Sequence, residues 1–226
     1  MGTRYGDKGK YDSMSNFGSQ SEVGIHNRFG SRSTFGCGCT FGRGNRFEPH
    51  SVFGGLCAFD KWQVFKHDIT FGESCKFGRG TEFGDGCRFE YGTSIGSGSR
   101  LGNGCNIGAH SVLYRGVTVG HGCTLGEDTT ISEGFKHGER LVMEGVEVIA
   151  VMCMSNVDGS GRMITIIVHH GGIRIRAGCF VGSLQEFCKR AVSEGKPVYA
   201  ATVKAAANAF AKAHKDKLNL TKGEAK

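Results

Sequence analysis

Proline is almost missing from this chain, with two in 226 residues. Set beside thirty-eight glycines, that scarcity excludes a Pro-rich linker, and the glycines lack the three-residue period of collagen. Long apolar runs are also missing: nothing approaches eighteen residues, so no membrane helix is expected. The opening MGTRYGDKGKYDSMSNFGSQ has no apolar core of a secretory leader, and Gly2 lacks the downstream Ser/Thr of a myristoylation signal. These absences read as a soluble, cytoplasmic protein, and its ten cysteines as reduced thiols instead of a disulfide framework. Acid is the minority charge, 21 Asp and Glu against 28 Lys and Arg, for a formal +7.

What is present is a beat of six. Stepping by six from Phe17 to Ile131 lands on an apolar residue all twenty times, twelve of them Phe, with no insertion. The following residue is Gly in fourteen of the twenty, as in FGRGNR, FGDGCR and LGNGCN. Six fits neither an amphipathic helix nor a simple meander, but it suits short strands joined at Gly-rich corners, the pattern of a solenoid. Cysteine keeps a second interval. Cys39, Cys57 and Cys75 lie eighteen apart, as do Cys87, Cys105 and Cys123, all at the fifth position of their hexapeptides. Asn27, Asn45, Gln63, Thr81 and Ser99 fill that slot in a third series. All three series keep the same eighteen-residue interval, and the thiols read as small core groups. Phe17, Phe35, Phe53, Phe71 and Phe89 stack on the same interval before Ile107 and Leu125 take over, so they too read as core.

Residues 17–135 therefore resemble the hexapeptide-repeat, left-handed parallel β-helix family. The resemblance implies three hexapeptides to a triangular coil, hence six to seven coils with residues eighteen apart stacked, a left-handed path and a homotrimer. The first 16 residues read as a cap segment. Residues 136–214 read as a small α+β domain, and 215–226 as a flexible tail. Within the α+β segment VEVIAVMCM, RMITIIVHH and IRIRAGCF read as strands, with a turn across SNVDGSG. A helix follows from Ser183 and Glu186 at capping-box spacing, with Leu184, Phe187, Cys188, Ala191 and Val192 apolar, and a second runs from about Tyr199 to His214. Residues 163–212 resemble a small C-terminal domain of bacteriophage and prophage accessory proteins, which implies a viral setting and the host cytoplasm, not a reaction.

Sorting outward residues by hexapeptide series concentrates charge. The series at Val23, Phe41, Phe59, Phe77, Ile95 and Leu113 carries Arg28, Arg43, Arg46, Lys61, Arg79, Arg100 and Arg115 against only Asp60 and Glu82. The series at Phe17 and Phe35 carries Glu22, Glu73, Glu90, Glu127 and Asp128 against Lys76. A solubility surface or a subunit contact would account for such segregation, and so would an anion site. Trp62, beside Lys61, is an outward aromatic able to stack on a base or anchor an interface.

Two functions of different class follow. The first is a non-catalytic binder in which Arg28, Arg43, Arg46, Lys61, Trp62, Arg79, Arg100 and Arg115 hold a nucleotide-like anion between subunits, without cofactor, or in which the chain blocks a host protein. The second, implied by the family, is an acyltransferase using coenzyme A, with His110 and His121 as candidate bases. Against it, the uninterrupted repeat lacks the protruding loop many such enzymes use. No metal site is expected, because no pair of prism histidines is close in sequence, and His169 and His170 point to opposite sides of a strand. A purely structural role fits the same residues, and nucleic acid is disfavoured because no recognised module is present.

Overall fold

The structure, a computed structural model, describes residues 2–155, 157, 159 and 163–216. It divides into two compact units, residues 1–145 and 146–226. The turn read across 155–161 falls largely outside the described residues, as does the tail beyond 216.

The first unit is a parallel β-solenoid. Its twenty-four strands, from Arg4–Tyr5 to Leu141–Met143, are two or three residues long, and each of the first twenty-one pairs with the strand three places on, giving three faces and eight coils. The first face begins at Arg4–Tyr5, the second at Lys10–Tyr11 and the third at Asn16–Phe17. Register is eighteen throughout: Phe59 pairs with Phe41 and Phe77, Phe65 with Phe47 and Phe83, Phe71 with Phe53 and Phe89.

The coil count exceeds the six to seven expected, because the repeat runs past both proposed ends. Tyr5 and Tyr11 occupy the aromatic slot in what was read as a cap, and His137 and Met143 occupy it after the apolar beat fades. A hydroxyl or an imidazole is tolerated at an end coil where one side of the ring is less covered. Tyr11 still stacks on Phe29 at 4.8 Å between centroids.

Why the aromatic column works is visible in the ring geometry. Along one face the rings stack nearly parallel, Phe17–Phe35 at 4.5 Å and Phe35–Phe53 at 4.6 Å. Between faces they meet edge to face, Phe65–Phe71 at 4.8 Å and 88°. Both arrangements suit the ring quadrupole, and each adds about 0.5–1.5 kcal/mol to burial. The six column cysteines are buried and free, and their thiols donate weakly to carbonyls, Cys123 to Gly102 at 3.2 Å. Hydrogen bonds to the thiols on either side act oppositely, Cys39 lowering and Cys75 raising the Cys57 pKa, Cys123 lowering and Cys87 raising that of Cys105, and with burial added both thiols are pushed up to about 12, so they stay protonated. The third column is a polar ladder: Asn45 Oδ1 accepts from the Asn27 N–H, and Asn45 Nδ2 donates to the Gly24 and Gly42 carbonyls.

Glycine serves two needs, only one of which is positive φ. At Gly78, in the second hexapeptide position, an added Cβ would sit 2.6 Å from the Lys61 backbone nitrogen, so close coil approach demands Gly. At Gly80, in the fourth position, φ is +66°.

The second unit is α+β. Its antiparallel sheet orders Phe180–Ser183, Gly172–Ala177, Met163–His169 and Val146–Ser155. The Phe180–Ser183 strand adds one to the three expected. Helix α1 (Leu184–Ser193) starts at the expected capping box, Ser183 Oγ accepting from the Glu186 N–H while Glu186 accepts from the Ser183 N–H. Helix α2 spans Pro197–Ala213. Ile164, Ile166, Ile175, Phe187, Ala191, Tyr199, Val203 and Ala207 form the core. Val192, expected on the apolar stripe, is exposed because it lies one residue beyond the buried Ala191.

Candidate functional site

The sixth and first positions of each hexapeptide form the strand, while the third and fourth form a corner, and this sorts the basic residues into two places instead of one face. Arg28, Arg46 and Arg100 project from strands of the second face. Arg43, Lys61, Trp62, Arg79 and Arg115 lie on the corner between the first and second faces. The two groups are adjacent because every corner feeds directly into a second-face strand.

On the second face, in-register pairing places Lys10 beside Arg28 and Arg28 beside Arg46. Parallel neighbours lie about 4.8 Å apart, so three cations stand in one line. Like charges directly opposed on adjoining strands are destabilising. Arg46 is partly compensated, its Nε 3.1 Å from Glu48 Oε1, and Glu82 stands in register with Arg100. Lys10 was missed in the sequence, although stepping back six residues from Phe17 reaches Tyr11 and places Lys10 in the outward slot.

On the corner, Trp62 takes φ +60° and is 48% exposed. Its ring lies over Gly80 of the next coil, where an added Cβ would fall 2.9 Å from Cδ1. The Lys61 Nζ is 4.6 Å from the ring centroid and the Arg79 Cζ 5.7 Å, both within cation–π range. The half-exposed indole is thereby held on the corner by two cations. A shallow depression of about 410 Å³ lies elsewhere, on the first face of the N-terminal coils, lined by Arg4, Tyr5, Glu22 and Thr40 and crossed by an Arg4–Glu22 ion pair of 2.7 Å.

The two histidines read as candidate bases are not brought together. His110 sits on the corner from the third face to the first, 3.6 Å from Asp128 and against Tyr91. His121 sits on the corner from the second face to the third. Its Nδ1 accepts from the Glu139 N–H at 3.1 Å, the last step of a ladder in which Asp85 accepts from Asn103 N–H and Asn103 from His121 N–H. His121 is thus a coil cap in this geometry. In the second unit His169 accepts from Gly171 N–H, and burial lowers its pKa.

No protein-family model, curated protein or solved structure matches the chain. The class is therefore defined by its own geometry, a three-faced parallel β-solenoid with an α+β appendage. No helix among the described residues is long and apolar enough to cross a membrane.

Proposed function

We propose that this chain is a non-catalytic binding protein that sequesters a phosphorylated, nucleotide-like anion on its basic corner and second face. The observation that carries the reading is the in-register line of Lys10, Arg28 and Arg46, running beside a Trp62 held by Lys61 and Arg79. A bound polyanion relieves the repulsion within that line, and Arg grips phosphate bidentately. The Trp62 edge supplies a stacking platform for a base. A second copy of the chain completes the groove; the homotrimer and the left-handed coil of the hexapeptide-repeat resemblance belong to this proposal. So does the phage-type accessory role, in which removing a host nucleotide signal is the useful act.

Thermal shift against nucleotides, inorganic phosphate and acetyl-coenzyme A tests it. Ligand at a hundred times its Kd adds about 2.7 kcal/mol to stability. Stabilisation by a nucleotide that is recovered intact, weakening as salt rises, is the expected result. Thiol release from acetyl-coenzyme A on adding an acceptor would overturn it in favour of acyl transfer.

A further inference from the structure

A different corner, between the second and third faces, gathers ligand groups that no part of the anion reading uses. His67 and Asp68 are the third- and fourth-position residues of one coil, and His50 is the fourth-position residue of the coil before it. The eighteen-residue register therefore sets His50 directly above Asp68. Each offers a ligand atom, and all three atoms lie within 4.8 Å of one another. The His67 Nδ1 is 2.8 Å from Asp68 Oδ2, and the His50 Nδ1 is 3.9 Å from the same oxygen. The two imidazole rings meet edge to face at 5.4 Å.

We infer that His50, His67 and Asp68 form a solvent-facing site for a divalent transition ion, zinc above all. Zinc bound at about 2.0–2.2 Å to N and O donors in tetrahedral geometry places its ligands about 3.3 Å apart. The spread here brackets that distance, so small side-chain rotations seat the ion. Two imidazoles with one carboxylate suit zinc and its neighbours, whereas calcium and magnesium prefer oxygen-only cages. Three protein ligands leave a fourth position for water or an exogenous donor.

The backbone holds the trio in place. His50 takes φ +61° and Asp68 +56°, the left-handed conformation that His and Asp adopt more readily than bulkier residues. The Asp68 N–H donates to the Asp85 carbonyl at 2.9 Å, tying the corner to the next coil. That coil carries Gly86 in the same slot, where a Cβ would strike Asp68 Oδ1. An ordinary ion pair needs only Asp68 and one imidazole; the second imidazole on the same oxygen is what a metal uses.

Isothermal titration of the tag-free, metal-stripped full chain with zinc chloride tests the site. One ion per chain, bound in the low-micromolar range or tighter, is expected. His67→Asn and Asp68→Asn should each weaken uptake at least tenfold, with His26→Asn unchanged. These residues are exposed and Asn tolerates the left-handed corner, so circular dichroism should match wild type. Calcium in place of zinc should give no comparable heat. Absence of stoichiometric zinc uptake, or uptake unaltered by both substitutions, would overturn the assignment. Because the readout is zinc and not an anion, its failure leaves the proposed function standing, and the reverse also holds.

Discussion

The solenoid and the α+β unit bury their cores by opposite strategies. In the solenoid each inward residue meets the residues eighteen before and after it, so stability is close to a sum of coil and neighbour terms. In the α+β unit a single cluster joins sheet and helices, with Phe187 packed against Phe180 and Tyr199, and it is lost as a whole. A repeated column thus spreads one kind of contact along an axis, while a compact core depends on a few unlike contacts. Damage should remain local in the first and become global in the second.

The largest effect is expected at the ring column. Phe65 is fully buried, stacked on Phe47 at 4.8 Å and Phe83 at 5.2 Å, and Phe65→Ala should cost about 3–5 kcal/mol in denaturant unfolding. Hydrogen exchange should show the loss confined to the neighbouring coils. Phe187→Ala should cost a similar amount yet raise exchange across the whole sheet of its unit. Equal spread in both variants would show that the two units do not differ in how they bury their cores.

Next comes the polar ladder. Asn45→Ala strips the acceptor from the Asn27 N–H and the donor from two carbonyls, and should cost about 2–3 kcal/mol by chemical denaturation. Ser183→Ala, at the start of α1, should cost about 1 kcal/mol. The same cap gives a pH dependence. Hydrogen bonds from Ser183 hold the Glu186 carboxyl below its usual range, so its contribution is present above the unfolded pKa and fades as pH falls through the depressed folded value. An acid titration of α1 unfolding checks the sign, with Ser183→Ala shrinking the response but not abolishing it, because the backbone N–H of residue 183 still donates to Glu186. Smallest in energy is thiol labelling. Native protein should react quickly at the exposed Cys37 and Cys179, while Cys39, Cys57, Cys75, Cys87, Cys105 and Cys123 should react only after denaturation.

The periodic half of this molecule was legible because its physics is arithmetic. Phe every six and Cys every eighteen fix strands, coils and interior columns without reference to distant sequence. The ends were misjudged because Tyr11, His137 and Met143 do not look like the Phe they replace. Placement of the basic residues was harder. Arg43 and Arg46 are three residues apart in one hexapeptide, and only the strand boundaries show that one turns a corner while the other lies on a face. The His50, His67 and Asp68 cluster was invisible to a search for neighbouring histidines, since His50 and His67 are brought together by the coil and not by the chain. In the α+β unit the strand Phe180–Ser183 was missed because FVGS carries a Gly and a cap Ser at its end.

If the basic corner and second face hold an anion, reversing their charge abolishes its binding. Equilibrium dialysis of a nucleoside triphosphate against wild type, Arg28→Glu/Arg46→Glu and Arg43→Glu/Arg79→Glu/Arg115→Glu measures it most directly. Saturable binding by wild type, lost by at least tenfold in both variants while circular dichroism and thiol protection are unchanged, is the result expected here. Wild type that binds nothing, or variants that bind as well as wild type, would contradict it.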